Sequence, residues 1–151
     1  MCGIAGILNK DGRLPSGETL HSALLSLAQR GPDDEGIWNH GHVALGHRRL
    51  AVMDTSQAGH QPFCDPDRRY ALIFNGEIFN HTELRQSLQL EGISFLTKTD
   101  TEVLLHLLIQ RGLEGLNDTN GFFAFAFYDR KEDKLLLGRD RFGGLSDCAA
   151  R

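Results

Sequence analysis

Apolar positions fall in short runs and in helical pairs along this chain, and turn-forming residues separate them. Residues 2–8, CGIAGIL, read as a strand, and Asn9-Lys10-Asp11-Gly12 supplies the turn after it. Ser16 can cap a helix that carries Leu20, Leu24 and Leu27 on one face and stops at Gln29-Arg30-Gly31-Pro32-Asp33. Residues 37–39 and 43–52 predict strands, the second holding the polar insert His47-Arg48-Arg49, and 70–74 predicts another, bounded by Asn75-Gly76. Asn80-His81-Thr82-Glu83 and Thr99-Asp100-Thr101-Glu102 each have the form of a capping box before an apolar helical stripe, with Gly92 and Gly112 as stops. Phe123, Phe125 and Phe127 alternate with Ala124 and Ala126, and a charged turn leads on to Leu135-Leu136-Leu137, which predicts a hairpin with aromatic bulk on one face. Strands come in groups with helices between them rather than in strict alternation, so the expected class is α+β, with antiparallel sheets and helices outside.

Composition narrows the function. A chain of 151 residues, 40% hydrophobic and 24% charged, is the size of one domain with a real core. A formal net charge of −4 gives no electrostatic case for nucleic acid or a membrane surface, so the expected partner is a small molecule. No apolar run approaches the ~18 residues that span a bilayer, and no signal-like segment opens the chain, so a cytoplasmic location is expected. Cys2, Cys64 and Cys148 are odd in number and widely spaced, which argues for reduced thiols. His40, His42 and His47 lack a third ligand at motif spacing, and no metal site is expected.

Four polar stretches stand where strands end or helices begin: Cys2, Arg48-Arg49, Asn75-Gly76-Glu77 and Asp100. Each has a plain structural explanation. Cys2 suits the start of a buried strand, adjacent arginines suit a strand edge, Asn-Gly suits a type I′ turn, and Asp100 suits a helix N-terminus. Taken together they describe a pocket for an amino acid. A guanidinium forks onto an α-carboxylate, a carboxylate receives an α-ammonium, and an asparagine amide with a glycine N–H forms an oxyanion hole beside a thiol. Loss of Met1 would leave Cys2 with a free α-amine. A thiol of pKa ~8.5 and an α-amine of ~8 can exchange a proton near neutral pH, so one residue could be nucleophile and base.

The segments MCGIAGI, RGPDDEG, HRRLAVMD, GHQP, FNGEIFNH, TDTEVLLH, GFFAFAFYD and GRDRFG, in that order, resemble the glutaminase domain of class II glutamine amidotransferases, most closely that of glutamine-hydrolysing asparagine synthetase. The resemblance implies the four-layer αββα sandwich of an N-terminal nucleophile hydrolase, covering residues 1–143. It implies that Cys2 is the nucleophile and that Asn75 and Gly76 form the oxyanion pair. Arg49 would hold the glutamine carboxylate beside the backbone of Leu50, Ala51, Val52 and Met53. Glu77 would line the pocket, and Asp100 would receive the substrate amine. Arg48 is expected to be a bystander, and Arg30-Gly31-Pro32-Asp33 a supporting loop. The substrate would be L-glutamine, hydrolysed to glutamate and ammonia for asparagine synthesis. No cofactor belongs to this domain, because ATP and Mg²⁺ would serve a synthetase domain that the chain lacks. Sugar-phosphate and purine amidotransferases are less similar, since they carry a threonine-arginine pair where this chain has HRRLAVMD.

After Gly143 the family continues with a stretch like IKPLYY, whereas this chain reads GLSDCAAR. Residues 144–151 are therefore expected to be an aberrant tail, from an early stop or frame change or in a natural small variant. The sandwich would then lack its last strands, and its open sheet edge would invite association with another chain. Two readings of function follow. One is a glutaminase module passing ammonia to a synthetase partner; the other is a truncated, non-catalytic fragment that binds glutamine or a partner chain without turnover.

Overall fold

A computed structural model describes residues 2–51 and 57–143. Their elements are β1 (Gly3–Leu8), α1 (Gly17–Ser26), β2 (Asp34–His40), β3 (Val43–Arg49), β4 (Phe63–Cys64), β5 (Tyr70–Ile78), α2 (His81–Leu90), α3 (Asp100–Arg111), β6 (Gly121–Asp129) and β7 (Lys134–Arg139), with 3₁₀ turns at Gln57–Gly59 and Gly112–Asp118. Two antiparallel sheets result, one ordered β1-β3-β2 and the other β4-β5-β6-β7.

Side-chain alternation sorts the layers. On β6 the phenylalanines Phe123, Phe125 and Phe127 point to one face, where they bury Leu84 and Leu88 of α2 and Val103, Leu104, Leu107 and Leu108 of α3. On the other face Ala126 and Tyr128 join Ala71 and Ile73 of β5 against Val43 and Leu45 of β3, which forms the core between the sheets. Beyond β3, α1 sets Leu20 and Leu24 on Ala44, with Ala5 and Ile7 beside them. The order α1, first sheet, second sheet, α2 with α3 is the four-layer αββα sandwich the resemblance implies. Full burial of each leucine in these layers is worth ~1.5–3 kcal/mol, so the helices are held by their apolar faces more than by propensity. No helix among the described residues is long and apolar enough to cross a membrane.

Several local expectations hold. Ser16 Oγ accepts the Thr19 N–H at 3.3 Å, Gly12 closes the turn onto Asn9, and Gly112 ends α3 at a φ of 59°. Others need correction. The strand expected to end at Phe74 runs on to Ile78, with Asn75 opposite Ala124 and Gly76 opposite Phe123, so Asn75-Gly76 is no hairpin turn. The nine-residue ladder with β6 overrides the local turn preference. Asn80 makes no capping bond to α2; its amide donates to the Asp118 carbonyl and its oxygen accepts from Asn120 N–H, which tie it to the stretch before β6. At α3 half of the capping box forms: Thr99 Oγ1 accepts from Glu102 N–H, while the Glu102 carboxylate turns to Leu96 and Thr97. The strand expected over 43–52 ends at Arg49, because the Leu50 N–H bonds to Cys2. Residues 34–36 extend β2 beyond the expected 37–39, and the two-residue β4 was not expected.

Candidate active site

Strand parity decides which polar side chains share a space. On β3 the odd residues Val43 and Leu45 face the second sheet, and His47 continues that row by placing Nε2 3.2 Å from the Phe74 carbonyl oxygen of β5. Arg49 is next on this face, 8% exposed. Arg48 points the other way, where its Nε donates to the Leu24 carbonyl of α1 at 3.2 Å and its Nη2 pairs with Glu35 at 2.5 Å. The tandem arginines are thus separated by alternation, and Arg49 is the one that faces the space between the sheets.

Cys2 stands beside Arg49, one step beyond the Gly3–Arg48 pair, and shares the inner face of Ile4. Its Sγ accepts the Leu50 N–H at 3.4 Å and lies 3.8 Å from the Leu50 carbonyl oxygen, so the thiol is seated on the backbone that follows Arg49. The loop before β2 holds this backbone. Asp33 N–H donates to the Arg49 carbonyl at 3.0 Å, and its carboxylate accepts the Ala51 N–H at 2.8 Å. A side chain at Gly31 would collide with the Arg48 carbonyl, and one at Gly59 would collide with the Arg49 guanidinium. Glycine at both positions lets the loops close around the arginine.

The second sheet supplies the opposite wall. Since Val43 and Leu45 meet Ala71 and Ile73, and His47 meets Phe74, β3 and β5 run the same way and their C-terminal ends coincide. Asn75 and Glu77 carry on the inward row of Ala71 and Ile73. Asn75 is 5% exposed, yet its side-chain amide bonds to none of the described residues. The neighbouring strand β4 reaches only Leu72, which leaves the rest of that edge of β5 to other partners. Phe74 N–H donates to Gln61 Oε1 at 2.6 Å, and Ile78 N–H donates to Asp100 Oδ2 at 3.1 Å. Alternate residues of an antiparallel strand direct their N–H groups to one side, so Gly76, between these two, turns its N–H to the same edge. Its φ of 153° and the collision a Cβ would make with the Phe122 carbonyl leave room for glycine alone.

Two titrations mark this end of the sandwich. Burial pushes the Asp100 carboxyl above its ordinary value, opposed by the Ile78 N–H, His81 and the first N–H groups of α3. Burial also brings His47 down to about 4, against the pull of the Phe74 carbonyl. His47 is therefore neutral at neutral pH, and because a carbonyl can only accept, Nε2 carries its proton.

Of the site residues expected from sequence, Cys2, Arg49, Leu50, Ala51, Asn75, Gly76, Glu77 and Asp100 gather at this end; Val52 and Met53 lie outside the described residues, as do Met1 and residues 144–151. His40, His42 and His47 separate: the first joins Trp38 and Tyr128, the second approaches Asp133, and the third crosses between the sheets. The sequence assigns no site role to His47 or to the GHQP segment, where Gly59 underlies Arg49, His60 Nδ1 lies 2.7 Å from Asp34 Oδ2, and Gln61 reaches both Phe74 and Thr101. The available signal for His47 was a polar residue on the inward row of β3, and for Gln61 the GHQP segment itself.

Residues 1–145 match the family model described as a glutamine amidotransferase domain. The chain is 40% identical to asparagine synthetase [glutamine-hydrolyzing] 3 of Bacillus subtilis and 40% identical to asparagine synthetase B of Escherichia coli, in each case over 146 residues, 95% of this chain. Those alignments cover 24% and 26% of the relatives, so the chain spans about a quarter of their length. Among solved structures, the glutamine phosphoribosylpyrophosphate amidotransferase of B. subtilis superimposes with a TM-score of 0.75 and 26% identity, over 93% of this chain and 37% of that one. A thiol, an arginine, an asparagine-glycine pair and a half-buried aspartate at one end of an αββα sandwich thus accompany the family match, and the chain belongs to the glutamine amidotransferase domain family.

Proposed function

We propose that the chain hydrolyses L-glutamine to L-glutamate and ammonia through a thioester on Cys2. The observation that carries this reading is the convergence of Cys2, Arg49, Asn75 and Glu77 on the inner faces of two sheets, with Gly76 and Asp100 at the adjoining edge. Arg49 takes the substrate α-carboxylate as a two-pronged donor. Asp100 takes the α-ammonium, whose charge offsets the burial that otherwise disfavours its ionised carboxyl. Glu77 lines the pocket, with the backbone of 49–51 along the substrate stem.

After removal of Met1, the Cys2 α-amine accepts the thiol proton and Sγ bonds to the side-chain amide carbon. The negative charge that develops on the amide oxygen is met by the Asn75 amide and the Gly76 N–H. Collapse of this intermediate breaks the carbon–nitrogen bond, and the ammonium of Cys2 returns its proton to the departing ammonia. Water then adds to the thioester, releasing glutamate and restoring the thiol. The step uses no cofactor of this domain. The two asparagine synthetases named above support asparagine synthesis as the use of the ammonia, at a synthetase domain or chain where ATP and Mg²⁺ would act.

Intact mass before and after treatment with the glutamine mimic diazo-oxo-norleucine, with peptide mapping, tests the reading. Loss of Met1, one adduct on Cys2 and glutamate release that Cys2→Ala abolishes are the expected results. A processed Cys2 that binds glutamine but forms no adduct would establish the non-catalytic reading instead.

A further inference from the structure

The geometry points to Gln61 as a positioning residue that sets Asp100 against the Asn75-Gly76 pair. This rests on the glutaminase reading and extends it to a residue that touches no part of the proposed substrate.

Gln61 is 6% exposed, and both ends of its amide are engaged. Its Oε1 accepts the N–H of Phe74, the residue immediately before Asn75, at 2.6 Å. Its Nε2 donates to Oγ1 of Thr101, the residue immediately after Asp100, at 3.3 Å. One planar group of fixed length thus joins the strand that carries the oxyanion donors to the helix start that carries the ammonium acceptor. Further along the same edge, Asp100 Oδ2 takes the Ile78 N–H at 3.1 Å. Phe74 and Ile78 are therefore both tied to the start of α3, and Gly76 is bracketed between the ties.

The backbone of Gln61 is itself fixed. Gly36 of β2 leaves the space that the Gln61 carbonyl fills, His60 bonds Asp34, and Gly59 lies under Arg49. Gln61 is consequently referenced to the first sheet while its side chain spans the second sheet and α3. Without the amide, the Asp100 end of the pocket keeps its charge but loses the upstream half of the bracket. An ammonium bound at Asp100 would then no longer set the reacting amide against the oxyanion donors, a misplacement of the kind that costs about 10- to 100-fold in rate.

The test compares kcat/KM for L-glutamine with that for 5-amino-5-oxopentanoate, the same amide without the α-amine. Gln61→Ala is expected to lower kcat/KM for glutamine about 10- to 100-fold and that for the des-amino amide much less, so that the preference for glutamine collapses. Thr101→Val, which deletes only the hydroxyl end of the link, is expected to lower the same preference, and the double variant to fall no further than Gln61→Ala alone. Thr101→Val carries the test should Gln61→Ala fail to fold. Equal losses on both amides, or a lower melting temperature with unchanged preference, would overturn the inference while leaving the glutaminase reading intact. A wild-type chain without glutamine turnover would overturn both.

Discussion

Glu102 lies in the first turn of α3 and holds the segment that leads to Asp100. Its Oε1 accepts the Leu96 N–H at 2.7 Å, its Oε2 accepts both the N–H and the hydroxyl of Thr97 at 2.7 Å, and His106 Nε2 stands 3.9 Å away on the next turn. Burial opposes its charge, since the residue is 1% exposed, but His106 and these donors together outweigh burial and bring the carboxyl from 4.5 down to about 2. The unfolded chain protonates near 4.5 and the folded chain near 2, so the stabilisation is fully present above pH 4.5 and is lost as pH falls through about 2. A fall of that size corresponds to about 3 kcal/mol. Glu102→Gln is expected to cost about that much at neutral pH, because it removes the charge and turns an NH₂ group toward N–H donors. Urea unfolding of both proteins between neutral pH and about pH 3 reads the difference directly. The gap should be constant down to about pH 5 and narrow steadily below it. A gap that stays constant on acidification would refute the assignment of this stability to the ionised carboxylate.

Within the proposed mechanism, Asn75→Ala should lower kcat by about 100- to 1000-fold with little change in KM, as expected for a donor that works in the transition state; a rise in KM alone would remove Asn75 from the oxyanion hole. The two arginines should divide by face. Arg49→Met should raise KM for glutamine, whereas Arg48→Met should leave KM unchanged and lower stability by about 1 kcal/mol through loss of Glu35 and the Leu24 carbonyl, as steady-state kinetics and denaturation will show.

Much of the sandwich is legible because its signals are local or strictly periodic. Ser16 caps where a serine before a leucine stripe should, and the Phe/Ala alternation of β6 assigns each face to its layer without reference to any other segment. Asn75-Gly76 is where local reading fails. The dipeptide prefers a turn, and only pairing with Phe123 and Ala124, nearly fifty residues away by the chain numbering, keeps it extended. Asn80 fails for the same reason: it resembles a cap, but Asp118 and Asn120 compete for its side chain. In the site, the residue types at Cys2, Arg49 and Asp100 are legible as chemistry, and strand parity explains why Arg49 rather than Arg48 faces inward. Gln61 stands in the recognisable GHQP segment, but its linking role is not legible, since its contacts join β5 and α3 across a loop and leave no periodic trace.

The alanines between the sheets have a mechanical consequence. Cys2 and Arg49 ride on one sheet, Asn75 and Gly76 on the other, and Ala71 and Ala126 sit with Val43, Leu45, Ile73 and Tyr128 in the layer of side chains that spaces them. The gap between the proposed nucleophile and its oxyanion donors is therefore set by the thickness of this filling, as a shim sets the gap of a caliper. A methyl group added there pries the jaws apart without touching the substrate. Bulk added in the phenylalanine layer, on the far side of the second sheet, acts on the helices first and leaves the jaw spacing to the inter-sheet layer.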